Sequence, residues 1–174
     1  MDLRYPIGQF NFVGPITNEE RQAFIDQIAE TPAKLRAAVA GLTDEQLDTA
    51  YRPDGWTVRQ VVHHVPDSHL NSYMRFKLAM TEEEPTIRTY YEDRWAELDD
   101  ARNAPIDISL NLLDSLHQRW VLFLRSFKGK DFERNFQHPE WGLVSVDKGL
   151  AMYAWHGKHH VAHVTSLRER MGWS

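Results

Sequence analysis

The chain has 174 residues, 42% of them hydrophobic and 26% charged, which is enough to close a core and too apolar for a disordered chain. A formal net charge of -5 offers no basic face, so a nucleic-acid partner would have to bind against the field of the whole molecule and is not expected. With no cysteine there can be no disulfide, thiolate ligand or cysteine nucleophile, and any metal must be held by histidine and carboxylate.

No charged-then-apolar leader is visible, and no apolar run reaches the eighteen or so residues needed to cross a bilayer. The expectation is a cytoplasmic protein without membrane contact, folded as one domain over residues 1–174. The first helix signal is TNEE (Thr17 to Glu20), which has the form of a capping box. Phe24, Ile28, Leu35, Val39 and Leu42 follow at helical spacing, and Pro32 is expected to kink or split that helix. TDEQ (Thr43 to Gln46) opens a short helix that RPDG ends. TVRQ (Thr57 to Gln60) opens a third element with Val58, Val61, Val62, Val65 and Phe76 on its apolar side; Pro85 closes the region. Residues 91–101 predict a helical turn or two around Trp95 and Leu98. Leu110, Leu113, Leu116, Trp120 and Leu124 then mark a long helix. A loop over residues 129–142 follows, with GLVSV as a short strand candidate, and the last helix runs from about Ser145 to Met171. Four long amphipathic helices argue for an all-α four-helix bundle with short extra helices in its connections.

The last helix carries WHGKHHVAH, residues 155–163. Val146, Leu150, Tyr153, Val164, Leu167 and Met171 form its stripe, which continues through His156 or Gly157 to His160; those two histidines face the core. His159 and His163 lie about 100° away from their sequence neighbours and are expected at the edge of that face or beyond it. Imidazoles four apart on one helix face can chelate an ion, and they can equally be core groups bonded to carbonyls. A third ligand on another helix decides for the metal, and His64, on the flank of the valine stripe, can point into the bundle. Three neutral imidazoles with an open fourth position describe a catalytic site rather than a structural one. Asp67, Gln60, His63 and His159 are candidates for supporting the ligands or contacting substrate; a fourth ligand from His159, His63 or Asp67 would instead favour a non-catalytic, closed site. His69 belongs with the supporting or surface groups. His117 and His138 have no metal spacing and read as ordinary, and Trp56 and Trp155 are positioned to wall a pocket.

GWTVRQVVHHVPDSHLNSYMRFK resembles the tryptophan-to-histidine signature of the DinB superfamily, and WHGKHHVAH resembles its C-terminal His-x-x-x-His. The closer likeness is to the YfiT-like branch, and it extends from YPIG (Tyr5 to Gly8) through LDTAYRPDGW to RMGWS. The resemblance implies a four-helix bundle, usually a homodimer, with one divalent ion per subunit, zinc or nickel. Its ligands fall on His64, eight positions after Trp56, and on His156 and His160. Pro66 departs from the family pattern and is expected to bend the third helix just beyond His64. The branch is described as metal-dependent hydrolases, which activate water. Relatives are similar to enzymes that join low-molecular-weight thiols, bacillithiol in particular, to electrophiles. Transfer of a small-molecule thiol to an electrophile is the favoured expectation, and hydrolysis the alternative.

Overall fold

The computed structural model describes residues 2–173. Helix α1 spans Asn18–Val39, the short α2 Asp44–Leu47, α3 Val58–Thr81, and the short α4 and α5 Glu92–Trp95 and Asp99–Asn103. Helix α6 spans Ile106–Arg125, and a 3-10 turn at Gly129–Glu133 leads into strands β1 (Asn135–His138) and β2 (Gly142–Ser145), followed by α7 (Val146–Met171).

Local chemistry sets the starts. Thr17 Oγ1 accepts the Glu20 N–H at 3.2 Å while the Glu20 carboxylate accepts the Thr17 N–H at 2.7 Å, and the same reciprocal bonding joins Thr43 to Gln46 and Thr57 to Gln60. Ser145 caps α7 by accepting the Lys148 N–H, and Gly172, at φ 65°, ends it in the left-handed conformation open to glycine. The split expected at Pro32 is corrected. Helix α1 runs unbroken through Pro32 and α3 through Pro66. For Pro32 the reason is visible: the Ile28 carbonyl, which loses its partner four residues on, is taken by the His117 side chain at 2.7 Å. The expected loop also holds the antiparallel hairpin β1–β2, with Phe136 facing Val144.

Helices α1, α3, α6 and α7 form a four-helix bundle in which α1 packs against α6 and α7, and α3 against the same two. Residue pairs give the directions. Arg21 meets Asp147 and Arg168 meets the Ala38 carbonyl, so α1 and α7 run parallel. His69 meets His117 and Phe76 meets Trp120, so α3 and α6 run parallel too. The contacts of Arg36 with Asn111 and of Arg125 with Asp26 make α1 and α6 antiparallel.

The interior is layered. One apolar cluster gathers Ile25, Ile28, Phe76, Trp120, Leu124 and Leu150; another gathers Leu35, Val61, Val65, Leu113, Val164 and Leu167. Between them, at one level of all four helices, lie Thr31 and Pro32 of α1, His64 and His69 of α3, His117 of α6 and His156 to His163 of α7. Polar groups are thereby carried into the interior of the bundle, a position that demands partners for those it buries. Among the described residues no helix is long and apolar enough to cross a membrane.

Candidate metal centre

His64 projects from α3, and His156 and His160 from successive turns of α7. Their Nε2 atoms converge: His64 to His156 is 3.4 Å and His160 to His156 is 3.2 Å. Zinc–imidazole bonds of 2.0–2.1 Å in tetrahedral array put two nitrogens about 3.3 Å apart, so the spacing suits one ion held by three rings. Among the described residues these three are the set whose donor atoms fall within one such sphere. Pro66, two residues beyond His64, does not take it out of the convergence.

Burial, first, and the neighbouring histidines, second, push His64 down to about 3 and hold His156 and His160 well below the ordinary imidazole range. All three rings are therefore neutral at pH 7, the form a metal requires. The second nitrogens of His156 and His160 are engaged. His156 Nδ1 lies 3.0 Å from His69 Nε2, and His69 Nδ1 lies 2.7 Å from His117 Nε2. His160 Nδ1 lies 3.4 Å from His163 Nδ1, and His163 Nε2–H donates to the Arg4 carbonyl at 3.1 Å.

His159 and His163 are buried, not at the edge of the face as their helical angle predicts. The N-terminal segment covers them: beside the Arg4 bond, Tyr5 lies against His159, while Tyr51 stacks on His163 at 3.9 Å and Trp155 on His159 at 4.3 Å. Helical periodicity carries no information about such a strap. His69 and His117, one read as supporting or superficial and the other as ordinary, are fully buried and linked to His156. The only signal for them is that both fall on the inner side of their helices, at the level of the three converging rings.

The remaining candidates sit elsewhere. His63 turns toward α6, its Nδ1 2.7 Å from Ser109 Oγ and its Nε2 3.1 Å from the Ala104 carbonyl. Gln60 caps α3 and donates to the Ala96 carbonyl and the Glu97 carboxylate, which fixes the α4–α5 connection. Asp67 has its carboxyl raised to about 6, by burial first and by Asp100 second, and it does not line the metal cavity.

That cavity, about 330 Å³, is walled by Trp56, Tyr90, Trp141 and Trp155 with the three histidines on one side. Trp56 packs on His64 at 4.6 Å between ring centroids. Arg75 and His138 also line it. Arg75 is 9% exposed, donates from Nη2 to the Arg88 carbonyl, leaves its Nε without a partner and pairs with no carboxylate among the described residues. A buried guanidinium in that condition is an anion site in waiting.

A relative from Bacillus mycoides (strain KBAB4), named "Putative metal-dependent hydrolase", is 57% identical over 172 residues, 99% of each chain. One from Bacillus cereus (strain B4264) with the same description is 55% identical over 99% of each chain. The solved structure of YfiT from Bacillus subtilis, described as a probable metal-dependent hydrolase with an unusual four-helix bundle topology, is 49% identical and superposes with a TM-score of 0.98 over 100% of both chains. The pairing of parallel neighbours, α1 with α7 and α3 with α6, gives that description a physical content in the present chain. The sequence pattern of the DinB superfamily matches residues 27–164, and the chain belongs to that superfamily.

Proposed function

We propose that His64, His156 and His160 hold one divalent ion, zinc or nickel, and that the centre activates the thiol of a small anionic molecule for transfer to an electrophile. The observation that carries this reading is the presence in one cavity of three converging neutral imidazoles and an unpaired, buried Arg75. Three neutral imidazoles would leave a bound ion its full charge, and the chemistry it would supply is a lowered pKa for a thiol or a water that reached it.

The residues divide the work. Arg75 binds a carboxylate of the thiol compound and turns its sulfur toward the histidines. Trp56, Tyr90 and Trp155 exclude water and receive the apolar body of the electrophile. The thiol proton leaves to solvent through the cavity mouth, sulfur bonds to the electrophilic carbon, and the leaving group departs with its electron pair. Bacillithiol, whose malate bears two carboxylates, has the chemistry Arg75 selects.

The test is conjugation of bacillithiol, cysteine and glutathione to a fluorogenic haloalkyl electrophile by zinc-loaded, nickel-loaded and metal-free protein. The expected result is metal-dependent turnover with bacillithiol preferred, and a KM raised roughly tenfold or more in Arg75→Met, the range of a lost charge-assisted bond. A second reading, hydrolysis by activated water, is favoured by the descriptions of the relatives. Metal-dependent cleavage of esters or amides with no thiol conjugation would replace the first reading by the second.

A further inference from the structure

The enclosed layer contains a directed chain of hydrogen bonds. At one end is the Ile28 carbonyl, the acceptor that the fifth residue of its turn, Pro32, cannot serve because it has no N–H. His117 Nδ1 approaches that oxygen at 2.7 Å. A carbonyl only accepts, so the proton sits on His117 Nδ1. His117, His69 and His156 touch no carboxylate among the described residues, and in their apolar surroundings each ring carries a single proton. Direction then passes from ring to ring. His117 Nε2 is an acceptor and takes the His69 Nδ1–H at 2.7 Å, and His69 Nε2 takes the His156 Nδ1–H at 3.0 Å. The last ring is left with a lone pair on Nε2, facing His64 and His160. Running the chain the other way would set two lone pairs against each other at Ile28 and put a proton on the nitrogen that faces the other two rings.

We propose that Pro32, His117 and His69 are positioning residues for the metal centre: the carbonyl that Pro32 leaves free fixes the tautomer of His117, and the relay imposes the same tautomer on His156, keeping its Nε2 open for the ion. This rests on the metal reading given above. The other ligand of α7 follows the same rule through a shorter path. The Arg4 carbonyl fixes His163 with its proton on Nε2, His163 Nδ1 accepts from His160 Nδ1–H, and His160 Nε2 is free. Two carbonyls outside the centre, one on a helix opened by proline and one on the N-terminal strap, thus set the protonation pattern of two ligands. The nitrogen bonded behind a histidine ligand decides which nitrogen is left for the metal.

The test begins with the metal-free, full-length wild type, in which long-range 1H–15N correlation spectra assign each ring's tautomer. His117, His69 and His156 are expected with the proton on Nδ1, although imidazole side chains in water favour Nε2; a proton on Nε2 in any of the three overturns the relay. Zinc affinity, read by competition with a chromophoric chelator, is expected to fall tenfold to 100-fold in His117→Phe, the range for groups that orient a ligand. Pro32→Ala added to that variant returns a backbone donor to Ile28. The double variant should recover thermal stability while its zinc affinity stays low. Recovery of both together, or an unchanged affinity in His117→Phe, would make the chain merely structural and overturn the proposal. Absence of zinc binding in wild type would instead strike the metal reading, and the tautomer spectra would still decide the relay.

Discussion

His160 combines two conditions a ligand needs: a ring held neutral by burial and a Nε2 aimed at two other rings. His160→Ala should reduce metal affinity by more than about 100-fold, beyond the range for groups that only orient a ligand, while far-UV circular dichroism stays unchanged. Equal metal content in variant and wild type would contradict the assignment. Asp67 offers a pH test independent of the centre. Burial raises it from 3.8 to about 6, so the native protein holds this proton more tightly than the unfolded chain does. Its contribution to stability is full below 3.8 and is lost as pH rises through about 6. Asp67→Asn should therefore gain on wild type across that window and hold the gain above it, as urea midpoints at successive pH values will read; parallel curves would contradict it. Spacing within each helix brings His64, His156 and His160 forward as candidates, and the family resemblance is what puts the ligand set on these three. Spacing could not reveal Arg75, or His69 and His117, because their roles are made by contacts between α3, α6 and α7 that no single-helix period encodes.

At the scale of elements, the glycine inside WHGKHHVAH has a packing cause. A Cβ on Gly157 would stand 2.5 Å from Thr31 Oγ1 and 2.8 Å from Thr31 Cγ2, and Thr31 is a buried β-branched residue whose hydroxyl is tied to the Gln27 carbonyl. Helices α1 and α7 approach closely at the level of the histidine layer because that Cβ is missing. Gly157→Ala should destabilise by about 1–3 kcal/mol through overpacking, measured by urea unfolding, and Thr31→Ala in the same chain should recover part of it. The three capping boxes were legible because they are local. Pro32 signals a kink or split in the sequence for the opposite reason: the group that relieves it, His117, lies 85 residues further on. The β1–β2 hairpin escaped all but its GLVSV half, since a four-residue strand with polar Asn135 and Gln137 has little alternation to detect.

At the scale of the molecule, the two apolar clusters lie above and below the histidine layer and contain none of its rings. The fold should accordingly persist without the ion. Chelation is expected to leave helical content intact and to lower apparent stability only by mass action, about 2.7 kcal/mol for a free metal concentration 100 times Kd; unfolding on chelation would contradict this. Bundle architecture was readable from four amphipathic repeats, but the parallel pairing of α1 with α7 and of α3 with α6 was not, because periodicity says which face is buried and not which neighbour buries it. Every step of the proposed chemistry requires three rings around one ion. X-ray absorption at the zinc edge, with metal content measured on the same sample, tests this most directly. One zinc per chain with three imidazole nitrogens at about 2.0–2.1 Å, falling to two in His156→Ala, is the predicted result. An imidazole count that ignores substitution of His64, His156 and His160, or an oxygen-dominated shell, would contradict it.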